Sequence, residues 1–491
     1  MKKYYITTPL YYVNYVPHIG HAYTTIAADI LARHLKANGR DVYFQTGTDE
    51  HGINIERTAK ENGKTPKEWA DEIVVKFKEM WNILHIDYDY FIRTTNEYHE
   101  KQVQKVFEKL IESGDIYKGN YEGLYCPSCE NFYDESELID GKCPVHKKDV
   151  EKVNEETYFF RLSKYERALL DHYKNNPDFL SPSYRANEII RFVEMGLKDI
   201  SVSRTRVKWG IPVLSDPKHT IYVWFDALLN YITGAGYDVD DPDNEKFKSI
   251  WPCDVHLIGK EIFRFHAVIW PSILMALKLP LPKKIYAHGW WTVNGEKMSK
   301  SKGNIINPSD IVQEYGLDAF RYFIFREVPF GQDGDFSTEM FKVRYNSDLA
   351  NGLGNLFSRV INMIIKYLDN EMPNEPKDSP MFNYLLSKQN EIYRHIENLS
   401  FNLALDEIWD AIAYLNKEIG DKKPWELAKT DIEKLKKFLN EMVWCLRLIA
   451  RWIYPFMPDT SAKMNMYLAI GKSHTKGVEA TKPSPLFPKK D

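Results

Sequence analysis

Two short basic stretches and two cysteine-containing pairs are the parts of this sequence best suited to chemistry. His18-Ile19-Gly20-His21 puts two imidazoles three residues apart, which is one face of a helix if a helix starts there. The glycine removes a side chain where a ligand must come close. Helix-start N–H groups point outward and favour negative charge, so His18, Gly20 and His21 together suit a phosphate. Lys297-Met298-Ser299-Lys300-Ser301 is flanked by Gly295 and Gly303, as a moving loop would be. Lys297 and Lys300 can clamp a triphosphate and stabilise charge on a departing pyrophosphate. Each stretch alone has a plainer rival: solvated histidines at a helix start, and a solvated basic loop.

Cys126-Pro-Ser-Cys129 and Cys143-Pro-Val-His146 each hold two donors with two residues between them. Such pairs fold into knuckles that can close on one tetrahedral Zn2+, and four protein ligands leave no open position, so the metal would be structural. A redox pair is the rival for a lone Cys-x-x-Cys; the second pair nearby argues for metal. The remaining thiols, Cys253 and Cys445, read as packing residues.

The elements that would hold these groups follow from periodicity. Lys3 to Thr8 reads as a strand, then a loop through Pro9 and Pro17, then a helix from about Ile19 to Gly39, then a strand from Asp41 to Thr46. Strand, helix, strand in so short a stretch is a βαβ unit and implies a parallel sheet. Residues 119–150 lose periodicity and suggest an inserted module. Strand-like runs return at Thr220 to Phe225 and Val255 to Ile258, with a helix at Glu261 to Leu277. Beyond 345 apolar residues recur at three and four: Leu405, Ile408, Ile412, Leu415, Ile419, and Ile432, Leu435, Leu439, Met442, Leu446, Ile449. Those stripes are the core faces of a helical bundle.

Composition narrows the class. The chain has 491 residues, 44% hydrophobic and 27% charged, with a net charge of −4, so several domains of an ordinary folded protein are expected. A chain of that charge does not coat nucleic acid everywhere, although a local basic stripe suffices to bind RNA. Five cysteines are too few for a disulfide framework. No apolar run is long enough to cross a bilayer and the N-terminus lacks a signal-peptide pattern. A cytoplasmic protein with no membrane partner is the expectation.

The pairing of His-Ile-Gly-His with Lys-Met-Ser-Lys-Ser resembles the two signatures of the class I aminoacyl-tRNA synthetases. Within that class the sequence is similar to the methionyl-tRNA synthetase family from about residue 4 to 470. The resemblance implies an α/β, Rossmann-type parallel-sheet catalytic domain, split by a zinc-binding connective insertion and followed by a mainly helical anticodon-binding bundle. The expected parts are 1–115 and 219–290 for the catalytic halves, 116–218 for the insertion, 291–345 for the lysine loop and junction, 346–470 for the bundle and 471–491 for an irregular tail. Family members often carry four cysteines at the zinc knuckle; here the fourth ligand is His146, which makes metal binding more sensitive to pH.

The same resemblance implies the site residues. His18, Gly20, His21, Lys297, Met298, Ser299 and Lys300 would meet ATP with its Mg2+, joined by Gly259 and Glu261 at the ribose and His288 at the adenosine. Leu10, Tyr12, Trp224, Ala227, Leu228, Tyr231, Ile262, His266 and Trp270 would surround L-methionine, with Tyr231 and His266 as the polar pair near sulfur and Asp49 on the ammonium. Asn355, Arg359, Pro424 and Trp425 would read the anticodon of initiator and elongator methionine tRNA. Read without the family, each of those aromatics is more simply core. The short insertion leaves no room for the large editing domain of the leucine, isoleucine and valine enzymes. A monomer is expected. The rivals are another class I synthetase, a smaller nucleotidyltransferase and a non-catalytic tRNA-binding relative.

Overall fold

A computed structural model describes residues 2–126, 131–133, 135–144, 147–293, 295–297, 306–367, 376, 379–468 and 484–490. Cys129, His146, Met298, Ser299 and Lys300 lie outside them, and of Lys297 only the backbone is described. The chain divides into two compact units, 1–17 with 39–288 and 18–38 with 289–491.

The first unit is built on a six-stranded sheet in the order Tyr90–Arg93, Val42–Asp49, Tyr4–Tyr12, Val255–Gly259, Ile285–His288, Leu180–Ser181. Every pairing in it is parallel. The first strand is buried along most of its length, as strands covered on both faces are. It also runs past Pro9, which the sequence reading placed in a loop. The register shifts between Thr7 and Leu10, so the missing proline N–H falls at an irregularity rather than ending the ladder. Strand order reverses between Tyr4–Tyr12 and Val255–Gly259, and such a switch point opens a crevice at the carboxyl ends.

In chain order between Tyr90–Arg93 and Val255–Gly259 comes a separate four-stranded sheet: Asn131–Tyr133, Ile116–Cys126, Glu151–Phe160 and Ile200–Ser201, all antiparallel. The stretch 116–218 is not wholly separate from the main sheet, because Leu180–Ser181 returns to its edge. Two further expectations change. Only Thr220–Ile221 of the run to Phe225 is a strand, and Val223–Leu228 is a helix; a short apolar run does not by itself separate the two. Glu261 to Leu277 is not one α-helix but a 3-10 turn Lys260–Ile262, a π turn Phe265–Ile269 and an α-helix Trp270–Ala276. Pro271 has no N–H for the carbonyl four residues back, and the Tyr173 hydroxyl donates to Ala267 O at 2.7 Å in its place.

The second unit starts with the helix Ile19–Ala37 and includes the hairpin Trp291–Val293 with Glu296–Lys297. Gly295, at φ +74°, makes the turn. From Pro308 onward the unit is mainly helical, ending with Phe401–Lys422, Pro424–Thr430, Ile432–Ile453 and Pro458–Tyr467. The two apolar stripes are buried as their spacing requires. Ile432 is the exception at 43% exposed, because it is the first residue of its helix and lies beyond the bundle core. Asp29 and Arg321, both fully buried, pair at 2.6 Å and tie the first helix to Leu317–Arg326.

Candidate active site

In the second unit the described residues on either side of the lysine motif contact the first turns of the histidine helix. Ile19 N–H donates to Ile306 O at 3.4 Å. One turn on, Tyr23 packs edge-on against Trp291 and Phe330. Both ends of the segment 291–306, which contains the lysine motif, therefore meet the start of the histidine helix. His18 caps that helix: its Nδ1 accepts from Gly20 N–H at 3.1 Å, while His21 Nδ1 accepts from His18 N–H at 3.1 Å. With both Nδ1 atoms accepting, both rings carry their proton on Nε2. Burial, then the neighbouring His18, hold His21 well below the usual histidine range. The pair is a set of neutral N–H donors. A Cβ on Gly20 would come within 2.9 Å of the His18 ring, so a side chain there would press on the ring that caps the helix.

In the first unit five of the expected ATP and methionine residues, Leu10, Tyr12, Asp49, Gly259 and His288, stand at the carboxyl ends of strands of the main sheet. Tyr12 is in register with Asp49, Leu10 with Gly47, and Gly259 with His288. Glu261 follows Gly259 in the 3-10 turn, and a Cβ on Gly259 would meet its carboxylate at 2.5 Å. Close approach is thus required at that strand end.

The aromatic residues form a wall with a polar seam. Tyr231 donates to His266 Nε2 at 2.6 Å, and His266 Nδ1 donates to Ile262 O at 2.9 Å. Burial lowers His266 from its ordinary 6.5 to about 4, in agreement with a neutral ring whose tautomer both bonds determine. Burial also holds the Tyr231 phenol well above its usual range. Trp270 Nε1 donates to His256 Nε2 at 3.2 Å, and the other nitrogen of His256 bonds Thr7 Oγ1 at 2.6 Å. Trp270 is fully buried beside Tyr231, with ring centres 5.6 Å apart. Trp224 is only partly buried and stacks on Phe265 at 3.9 Å. Ala227 and Leu228 are buried on the helix that bears Trp224.

Sequence reasoning missed the charges behind this wall. Asp226 lies between His51 and His99 at 2.7 Å from each. Burial opposes a charge on His51, but Asp226, Glu100 and Asp49 outweigh it and raise the imidazole to about 10. Burial would raise Asp226, yet the two histidines keep it below the usual carboxylate range. Beside them the buried Glu50 accepts two bonds from Arg93, at 2.6 and 2.8 Å. His51 and Asp226 each stand within two residues of an expected pocket residue, which was the available signal; their pairing across the fold had none.

The remaining expectations are only partly placed. Cys126 and Cys143 are fully buried in one small cluster with Tyr133, and Lys147 N–H donates back to Cys143 O at 2.8 Å. Glu156, Asp216 and His219 also group closely, but Lys118 Nζ is 2.8 Å from each carboxylate, so that cluster is an ion-pair network. Asn355 and Arg359 lie one turn apart on the helix Asn355–Tyr367. Lys423 is left-handed at φ +44° between two helices, Pro424 is buried, and Trp425 is 47% exposed, which disfavours a packing role for that indole. No helix among the described residues is long and apolar enough to cross a membrane.

The family model described as "tRNA synthetases class I (M)" matches residues 4–153 and 136–361. The methionine–tRNA ligase of Caldanaerobacter subterraneus is 52% identical over 480 residues, which is 96% of this chain and 75% of that protein. The Thermotoga maritima protein of the same name is 47% identical over 509 residues, covering 100% and 80%. Among solved structures, Mycobacterium tuberculosis methionyl-tRNA synthetase in complex with methionyl-adenylate is 41% identical with a TM-score of 0.91, covering 99% of this chain and 100% of that one. Its free form gives 0.86 at 38% identity, covering 100% and 99%. Similarity of that extent, on a parallel-sheet edge already seen to gather these residues, leaves one conclusion: the chain belongs to the class I tRNA synthetases, in the methionine branch.

Proposed function

We propose that the chain activates L-methionine with ATP and transfers it to methionine tRNA. The observation that carries the reading is the gathering of Leu10, Tyr12, Asp49, Gly259 and His288 at the carboxyl edge of one parallel sheet. Methionine's ammonium would sit at Asp49 and its thioether against Trp224, Ala227, Leu228, Ile262 and Trp270. Near sulfur the Tyr231 proton is already committed to His266, so the seam offers a lone pair and a polarizable face but no charge. Such a seam suits a soft apolar side chain and disfavours charged ones.

In the first step the methionine carboxylate attacks the α-phosphorus of ATP, giving methionyl-adenylate and pyrophosphate. No protein nucleophile is required; the work is placement and stabilisation of charge. His18 and His21 donate from Nε2 to phosphate oxygens, Lys297 and Lys300 neutralise the departing pyrophosphate, and Gly259, Glu261 and His288 hold the nucleoside. Mg2+ carried with ATP adds positive charge on the triphosphate. In the second step the methionyl group passes to the terminal ribose of tRNA, whose anticodon meets Asn355, Arg359, Pro424 and Trp425.

The two buried thiols in one small cluster fit a structural Zn2+ held by Cys126, Cys129, Cys143 and His146, whose chemistry is to clamp the insertion. The protein acts as a monomer in the cytoplasm in this reading. Methionine-dependent ATP–pyrophosphate exchange tests it. Exchange is expected with methionine and is lost by orders of magnitude in Lys300→Ala with methionine Kd little changed. Exchange driven by a different amino acid, or none at all, overturns the assignment.

A further inference from the structure

Behind the methionine pocket lies a chain of buried polar groups that the reaction does not consume. Asp226, 1% exposed, accepts from His51 Nδ1 through one oxygen and from His99 Nε2 through the other, both at 2.7 Å. The far nitrogen of His51 is 3.5 Å from Glu100. The far nitrogen of His99 bonds Thr233 Oγ1 at 2.7 Å.

What these residues sit on gives the chain its meaning. His51 follows Asp49, at the end of the strand Val42–Asp49, by two residues. Asp226 stands between Trp224 and Ala227 on the helix Val223–Leu228. Thr233 ends the helix Asn230–Thr233, which bears Tyr231. His99 and Glu100 are in the first turn of the helix Glu97–Glu112. One carboxylate therefore joins the segment expected to hold the substrate's ammonium to both segments expected to hold its side chain.

We propose that Asp226 is a positioning residue that sets the distance between the ammonium subsite at Asp49 and the thioether wall at Trp224, Ala227, Leu228 and Tyr231, and so makes the pocket measure side-chain length. The inference rests on the pocket reading above. A site that grips a ligand at two points can discriminate length only if those points are rigid relative to each other. An apolar pocket alone separates neighbours differing by one methylene by only about 10- to 200-fold. The tie is well made for the task. Burial works against charge on both partners, but each supports the other's charge, and charge-assisted bonds are about twice as strong as neutral ones. Glu100 and Asp49 also face His51, and Thr233 completes His99, so the tie has few ways to relax.

The test is Asp226→Asn, which keeps the shape and removes the charge. ATP–pyrophosphate exchange is run with methionine, S-methylcysteine and ethionine, with rates normalised to active sites counted by the adenylate burst. Expected are a methionine KM raised about tenfold, an unchanged ATP KM, and a preference for methionine over the other two narrowed about fivefold or more. A merely structural role would lower kcat for all three amino acids in proportion and leave their ratios alone; that result overturns the proposal. Should Asp226→Asn fail to fold, His51→Gln cuts the same tie from the other side and must narrow the same ratios. Asp49→Ala separates the two levels of the argument. If it leaves the methionine KM unchanged, the pocket reading itself falls. If it raises that KM while neither tie variant shifts the ratios, only the length-measuring role falls.

Discussion

Replacing Arg321 with Met tests how the histidine helix is held. Arg321 is fully buried, and its guanidinium donates to Asp29 Oδ2 at 2.6 Å, Pro455 O at 2.9 Å and Phe456 O at 2.9 Å. Methionine fills much of the space but takes the guanidinium away from Asp29, which also pairs with Arg33 at 2.7 Å, and Arg33 is 13% exposed. Removing one member of a buried pair costs about 3–5 kcal/mol. Each stranded carbonyl adds up to ~1–3 kcal/mol, but these contributions overlap in one network, so about 4 kcal/mol is expected in all. The double variant Arg321→Met with Asp29→Leu removes both charges together. Arg33 can then turn toward Tyr454, which it already approaches at 3.5 Å, and the cost should fall below about 2 kcal/mol. Equilibrium unfolding in urea measures both, with the slope checked for equality between variants. Asp29 lies eleven residues beyond His18, roughly 16 Å along the helix, so any loss of exchange activity would come from tilt rather than contact. A displacement of about 1 Å at the phosphates would cost about 100-fold. A single change costing under about 1 kcal/mol, or a double change costing the sum of the two singles, would show that the buried pair does not hold the helix.

Three further outcomes are expected. The two buried imidazoles bend stability in opposite directions with pH. His266, lowered to about 4, contributes fully above its ordinary 6.5 and loses that contribution as pH falls toward 4. His51, raised to about 10, contributes fully below 6.5 and loses it as pH rises through 10, so His51→Gln should lessen the fall in urea midpoint above pH 8. An unchanged fall would show that His51 is not charged. Trp425→Ala should raise the tRNA KM about tenfold or more, as loss of a stacked base does, while sparing methionine activation; equal damage to both steps would defeat the assignment. Elemental analysis of purified protein should find one zinc per chain and Cys143→Ser should lose it; a metal-free protein of unchanged stability would dismiss the knuckle.

Features that depend on local periodicity or short spacing could be read directly from the residues. The helix after His18, the parallel sheet implied by strand, helix and strand, and the two bundle stripes follow from side chains that repeat with the period of their element. Asp49 stood out because parallel sheets present the carboxyl ends of their strands to ligands, whereas Gly259 was named only through the family resemblance. The rest came from contacts between residues far apart in the chain. A strand ran through Pro9 because a register shift absorbed the missing donor. Val223–Leu228 became helix although its apolar run fits a strand equally well. The segment Phe265–Ile269 widened into a π turn that carries His266. Most of all, Asp226 meets His51 across 175 positions. No window of residues contains both partners, and a charge pairs by distance in space, which only the folded chain supplies.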